Sequence, residues 1–195
     1  MKVAALLLAA GRGTRFGGPK LQASLRGTPM LGHVAATINS AILTGALDRC
    51  TAVTAAGDSA IRQLVVDRGF DAVENDNPAA GISGSIRCGL DALAPDAGIG
   101  AALIVLGDQP LLRLEVVTAL VDRWRQTRKS TRPRYAASPE EPGHPVLLDR
   151  SLWRLAERLS GDAGLRGILP VDQIEVVDVE GRNPDVDTSE DLLSL

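Results

Sequence analysis

The sequence predicts an α/β protein of three layers, with a mostly parallel, Rossmann-like sheet between two layers of helices. Three observations carry this. Short, largely apolar runs, Val3 to Ala9, Thr51 to Ala55, Phe70 to Val73 and Ala101 to Leu106, lie between segments that hold Gly, Pro or Asp, as strands buried on both faces do. Helically spaced stretches lie between and after them, at Leu31 to Leu43, Ala60 to Arg68, Ile82 to Leu93 and Leu114 to Arg125, and this alternation builds a parallel sheet covered on both sides. No linker is long enough to set off a second unit, so residues 1–195 read as one domain.

The first run has a competing reading, because Met1-Lys2 followed by Val3 to Ala10 has the outline of a short secretory signal. A single Lys precedes it and it passes straight into Gly11-Arg12-Gly13, so a buried first strand fits better. In the last third, Arg128 to Pro142 is rich in Arg, Pro, Ser and Glu and reads as a loop, an edge strand or a flap. Val146 to Leu148 follows as a strand, Ser151 to Leu159 as a helix, Ile174 to Val179 as a strand and Ser189 to Leu193 as a closing helical turn.

Composition removes several classes of function. With 21 Lys+Arg against 24 Asp+Glu the net charge is −3, so no basic nucleic-acid footprint exists, and five aromatics leave little for stacking bases. No apolar run has membrane-spanning length. Cys50 and Cys88 lack the spacing of a zinc site or a disulfide framework, and a reducing cytoplasm is the simplest compartment.

Ligands of such sheets sit beyond the carboxyl ends of the strands, which directs attention to the loops starting at Ala10, Asn75 and Gly107. In Leu8-Ala9-Ala10-Gly11-Arg12-Gly13-Thr14-Arg15-Phe16-Gly17-Gly18-Pro19-Lys20, glycines let the backbone turn tightly and present N–H groups to phosphate oxygens. Three of the 21 basic residues fall between Arg12 and Lys20, where even placement puts about one. The bland alternative is a surface turn with solvated charges. Lys20 lies between Pro19 and Leu21, so this is not a Walker A loop, and the first acid after Gly11 is Asp48, too distant for the ribose acid of a dinucleotide fold.

Asp108 follows the strand Ala101 to Leu106 and a glycine, in a turn closed by Pro110. A magnesium–nucleotide complex takes one or two protein carboxylates, and Asp108 is placed for this, although turn-forming Asp residues are common at such positions. Asp185 and Asp187 are two apart, so in an extended segment both face one way, and Thr188 with Asp191 reads as a helix cap. His33 reads as a packed or surface residue, while His144, in a Gly-His-Pro turn, is a candidate to touch a second substrate. Gly81-Ile82-Ser83-Gly84-Ser85 has Ser where the nucleophile elbow of a hydrolase needs its second Gly, which disfavours a serine hydrolase.

Leu8 to Lys20 resembles the loop of MobA-like nucleotidyltransferases and, within that group, molybdenum cofactor cytidylyltransferases. Further segments resemble the family in order: Asn75 to Leu90, Leu106 to Pro110, Gly143 to Val146, Gly161-Asp162-Ala163-Gly164 and Asp185-Val186-Asp187-Thr188. The sequence departs from the pattern at Phe16, Gly84, Ile86 and Ser189, none of which removes a charge.

The resemblance implies transfer of CMP from CTP to the molybdopterin form of the molybdenum cofactor, with release of pyrophosphate. It implies Arg15 and Lys20 on the triphosphate, Mg2+ on Asp108 and Asp187 with Asp185 in reserve, and a nucleotide pocket of Leu8, Ala9, Ala10, Gly11, Gly13, Asn75, Gly81 and Ser85. A molybdoenzyme is an expected partner. Rival readings are another NTP transferase using GTP or a sugar or alcohol phosphate, a nicotinamide-dependent oxidoreductase and a non-catalytic cofactor chaperone on the same fold.

Overall fold

The apolar run at the start of the chain becomes β1 (Lys2–Ala9), buried from Val3 onward. Side chains on a strand alternate between faces, and here each face meets its own core. Val3, Ala5, Leu7 and Ala9 pack with α1 (Met30–Leu43), α2 (Ser59–Val66) and α4 (Leu114–Thr127), while Ala4, Leu6 and Leu8 pack with α3 (Ile82–Leu93). This is the expected three-layer arrangement. The structure is a computed structural model and describes all residues except Arg12, Thr14, Ala163, Arg166 and Gly167. Arg12, counted above in the basic cluster, and Ala163 therefore lie outside the described residues.

A two-residue hairpin, β2 (Ser24–Leu25) with β3 (Thr28–Pro29), precedes α1 and was not expected from the sequence. The main sheet adds β4 (Arg49–Ala55), β5 (Asp71–Asn75), β6 (Ile99–Leu106), β7 (Ser130–Tyr135), β8 (Val146–Asp149) and β9 (Ile174–Val179), in the order β5-β4-β1-β6-β8-β7-β9. Neighbours are parallel from β5 to β6 and between β7 and β9, whereas β8 runs antiparallel to both β6 and β7. After β1 the chain steps outward to β4 and β5, then returns to place β6 on the other side of β1. Adjacent connections therefore diverge between β1 and β6, and a crevice opens there.

Two expectations change. The segment Arg128 to Pro142 holds β7, one strand in from the edge, because β9 pairs along it. Its remainder is tied back by Gly143 N–H to the Pro133 carbonyl at 2.8 Å and by the Tyr135 hydroxyl to the His144 carbonyl at 2.9 Å. The helix expected over Ser151 to Leu159 is a run of 310 turns over Arg150–Arg158. Its buried residues are Leu152, Trp153 and Ala156, and Trp153 and Ala156 with the capping Leu159 lie three positions apart, the period of a 310 helix. The closing turn forms as α5 (Ser189–Leu193), with Thr188 and Asp191 in a reciprocal capping box.

Helix α3 approaches β1 closely because it carries Gly89 at the crossing: a Cβ there would overlap Leu6. The first turn of α3 is thereby brought beside the carboxyl end of β1.

Candidate active site

A cleft of about 530 Å³ opens at the carboxyl ends of β1 and β6. Leu8, Ala10, Gly11, Gly13, Arg15 and Lys20 line one side, Gly81 and Ser85 of the α3 start another, and Asp108, Asp185 and Asp187 the floor between them. Loops far apart in sequence thus meet as expected. Two expected residues do not reach the wall. Ala9 points into the core beneath α1, as strand alternation after Leu8 requires, and Asn75 stands behind Ser85 with 7% exposure.

Buried neighbours place Lys20 and the carboxylates. Lys20 opens a 310 turn (Lys20–Gln22) anchored by buried Leu21. Its Nζ lies 2.7 Å from Asp108 Oδ2 and 3.1 Å from Asp187 Oδ1, with the side chain only 10% exposed. Burial works against the ammonium, but the hydrogen bonds and charges of Asp108 and Asp187 outweigh it and hold its pKa above the ordinary lysine value. Arg15 reaches Asp187 Oδ2 at 2.9 Å from an exposed position.

Asp108 sits in the turn after β6, where Gly107 N–H extends the ladder to the Leu8 carbonyl at 3.0 Å. Its own carbonyl accepts from Val186 N–H at 3.0 Å. Val186 is fully buried, so Asp185 and Asp187 on either side of it turn to the cleft, as their spacing predicts. Gln109 is a working residue that the sequence did not single out. Its Nε2 donates to Asp185 Oδ1 at 2.8 Å and its Oε1 accepts from Asn183 at 3.1 Å, so buried amides aim Asp185. Burial and the charge of Asp108 raise the Asp185 pKa against this bond.

Asp162 is a second residue that sequence reasoning left without a role. It lines the cleft opposite the cationic loop, and a Cβ on Gly81 would come within 2.6 Å of its Oδ1. The order of the matching segments was the one signal that pointed to it. His33 and His144 lie outside the wall: His33 Nε2 is 2.8 Å from the Leu25 carbonyl, and His144 Nδ1 is buried with no hydrogen-bond partner among the described residues. Burial lowers the His144 pKa, against the opposing charge of Asp108.

The donor set suits a hard divalent cation. Two carboxylate oxygens, on Asp108 and Asp187, converge on the one Lys20 nitrogen, so they face a common point. Among the described residues no group of three or more His, Cys, Asp or Glu is close enough to cage a metal. Two carboxylates with phosphate oxygens and water is the usual arrangement for a metal that arrives with a nucleotide.

Residues 5–176 match the MobA-like NTP transferase domain. The chain belongs to this family. MobA-like relatives and neighbours carry names of several different activities. A probable molybdenum cofactor guanylyltransferase of Thermococcus kodakarensis is 30% identical over 154 residues, 78% of this chain and 70% of that one. A 2-C-methyl-D-erythritol 4-phosphate cytidylyltransferase of Cereibacter sphaeroides is 36% identical over 119 residues, 60% of this chain and 51% of that one. A bifunctional GlmU of Rhizorhabdus wittichii is 36% identical over 122 residues, and the chain spans about 25% of its length. Among solved structures, Rv0371c of Mycobacterium tuberculosis superposes with a TM-score of 0.81 at 26% identity, covering 100% of this chain and 97% of that one. That protein has also been solved in complex with manganese. In this MobA-like domain no helix of the described residues is long and apolar enough to cross a membrane.

Proposed function

We propose that the protein moves CMP from CTP to the phosphate of molybdopterin, releasing pyrophosphate. The observation that carries the transferase reading is the meeting of Lys20 with Asp108 and Asp187 at the mouth of the glycine-rich loop. One buried cation and two carboxylates, beside a loop rich in N–H donors, form the charge pattern that a metal–triphosphate complements.

The acceptor phosphate attacks the α-phosphorus in line and pyrophosphate leaves, so the chain's task is to position the groups and neutralise charge. Arg15, exposed and long, holds the outer phosphates. Lys20 has little freedom, stays protonated at neutral pH and donates to the α-phosphate as its charge develops. Asp108 and Asp187 hold Mg2+, which when bound supplies Lewis-acid neutralisation and a template for the phosphates. Gly81 and Ser85 border the base, with Asn75 behind them.

The choice of CTP rests on Ala10. It lies on the cleft wall at 4% exposure, where β1 becomes the loop, so its methyl narrows the space beside the base. A pyrimidine fits this space, whereas a purine requires the loop to retreat. CTP is expected to exceed GTP by at least about tenfold in kcat/KM, about 1.4 kcal/mol. GTP is the second reading, favoured by the guanylyltransferase name of the Thermococcus relative. The test is competition of CTP and GTP with magnesium and molybdopterin, followed by identification of the nucleotide in the product. Guanylylated product overturns the cytidylyl assignment, and pyrophosphate release only with sugar or alcohol phosphates overturns the acceptor.

A further inference from the structure

Size separates a pyrimidine from a purine, but it does not separate cytosine from uracil. Cytosine carries an amino group at C4 where uracil carries a carbonyl, so a side chain that tells them apart must only accept or only donate. The methyl of Ala10 does neither. The Ser85 hydroxyl can do both, and it fits either base.

An ionised carboxylate only accepts. Among the described residues four line the cleft, Asp108, Asp162, Asp185 and Asp187, and three of them are committed. Asp108 and Asp187 take Lys20 Nζ at 2.7 Å and 3.1 Å, and Asp185 takes the Gln109 amide at 2.8 Å. Asp162 stands apart from this group. Its carboxylate enters no hydrogen bond or ion pair among the described residues.

The start of α3 sets its place. The Gly161 carbonyl accepts from Ser83 N–H at 3.2 Å, which docks the 161–162 segment on the first turn of the helix. Gly81 precedes that turn and has no side chain, and a Cβ there would lie 2.6 Å from Asp162 Oδ1. The carboxylate thus reaches the edge of the pocket that Gly81 and Ser85 border, across the cleft from Arg15 and Lys20. A negative charge in a cleft for a polyanion repels the phosphates, so at this far edge it gains only from a ligand group that offers a proton.

We infer that Asp162 is a specificity-determining residue whose carboxylate accepts the 4-amino N–H of cytosine and repels the O4 of uracil. The inference rests on the nucleotidyltransferase reading, with Gly81 bordering the base, and adds the choice between two pyrimidines that the width of the pocket leaves open. Carboxylates take the cytosine amino group in nucleic-acid recognition for the same reason, a lone pair facing an N–H. Rejection of uracil is the repulsive half of the device, because its O4 would meet a charge and no donor.

The test titrates the wild-type protein, Asp162→Ala and Asp162→Asn calorimetrically with CTP, UTP and the triphosphate of 2-pyrimidinone riboside, which has only hydrogen at C4, each with magnesium. The wild type is expected to bind CTP at least about tenfold more tightly than UTP, the scale of one hydrogen bond to a charged group. In Asp162→Ala the two affinities are expected to converge. Asp162→Asn is expected to strengthen UTP, since an amide can turn its N–H to O4. All three proteins are expected to bind the 2-pyrimidinone nucleotide alike, which shows that the pocket is intact in the variants. A CTP preference that survives in both variants overturns the inference, as does a wild type without one. Equal weakening of all three nucleotides in the variants also overturns it, and assigns Asp162 to the loop or the ribose. A wild-type protein that binds none of the three overturns the nucleotidyltransferase reading itself, which separates the two failures.

Discussion

Lys20 Nζ and Asp108 Oδ2 stand 2.7 Å apart although 88 positions separate them in the chain. The contact joins the loop after β1 to the turn after β6, and Asp187 completes it from a third segment. Lys20→Ala removes the ammonium that lies between these two carboxylates. It is expected to lower kcat by about 10²-fold to 10³-fold, the cost of losing one transition-state donor, with a smaller change in nucleotide affinity. Steady-state kinetics decides this, and a loss confined to KM would show that Lys20 only binds the ground state. Asp108→Asn is expected to abolish magnesium-dependent turnover while the protein still melts cooperatively.

Arg15 offers a contrast. Its side chain is 78% exposed and its bond to Asp187 is a surface ion pair, which contributes little to folding. Arg15→Ala is expected to raise the nucleotide KM about tenfold and leave the melting temperature within about 1 °C. A large drop in melting temperature would show that Arg15 holds the loop rather than a phosphate.

Gly81 has a φ of 80° and abuts the backbone of Gly161, so a methyl at this position is barred by conformation and by space together. Gly81→Ala is expected to push the 161–162 segment off the start of α3, breaking the bond from Ser83 N–H to the Gly161 carbonyl at 3.2 Å. Urea unfolding should show a loss of about 1–3 kcal/mol, and nucleotide binding should fail before the fold does. Gly84→Ala, where a Cβ meets only ordinary contacts, is the control and should be tolerated.

His144 gives a pH signature. Burial depresses its pKa below the unfolded value of 6.5, so the folded state prefers the neutral ring and the stability this group contributes is present above pH 6.5. That part is lost as pH falls from 6.5 through the depressed folded pKa. The urea midpoint of the wild-type protein is expected to drop over this window, and His144→Asn should flatten the drop. An identical pH profile in the variant would assign the titration elsewhere.

Much of the sheet could be read from β1, β4 and β6, because strands buried on both faces leave largely apolar runs between turn residues. Lys20, Asp108 and Asp187 were legible for a related reason: they follow strand ends, where the fold exposes side chains to a shared crevice. Other features depend on contacts that no local pattern encodes. The hairpin of β2 and β3 has only two residues per strand, too few for a period, and its turn puts Arg26 at a φ of 52°. Ala9 was expected on the wall and faces the core, since alternation decides the side and the loop's beginning hides which residue alternation still governs. Asn75 was placed among the ligand contacts because its motif lies beside them, yet the bond from Asn77 N–H turns it inward. Asp162 lay in a loop without periodicity, and only the docking of that loop on Gly81 shows where its carboxylate goes.

The Lys20–Asp187 contact spans 167 positions, from the start of the chain almost to its end. Contacts of such separation form late, because the chain between them must be ordered before they gain anything. The sheet from β5 to β6 can therefore assemble on a nascent chain while the cleft still lacks the segment that carries Asp185 and Asp187. A growing polypeptide would acquire its shape well before its capacity to hold a charged ligand, and a ribosome paused before residue 185 would display a folded sheet with an incomplete site.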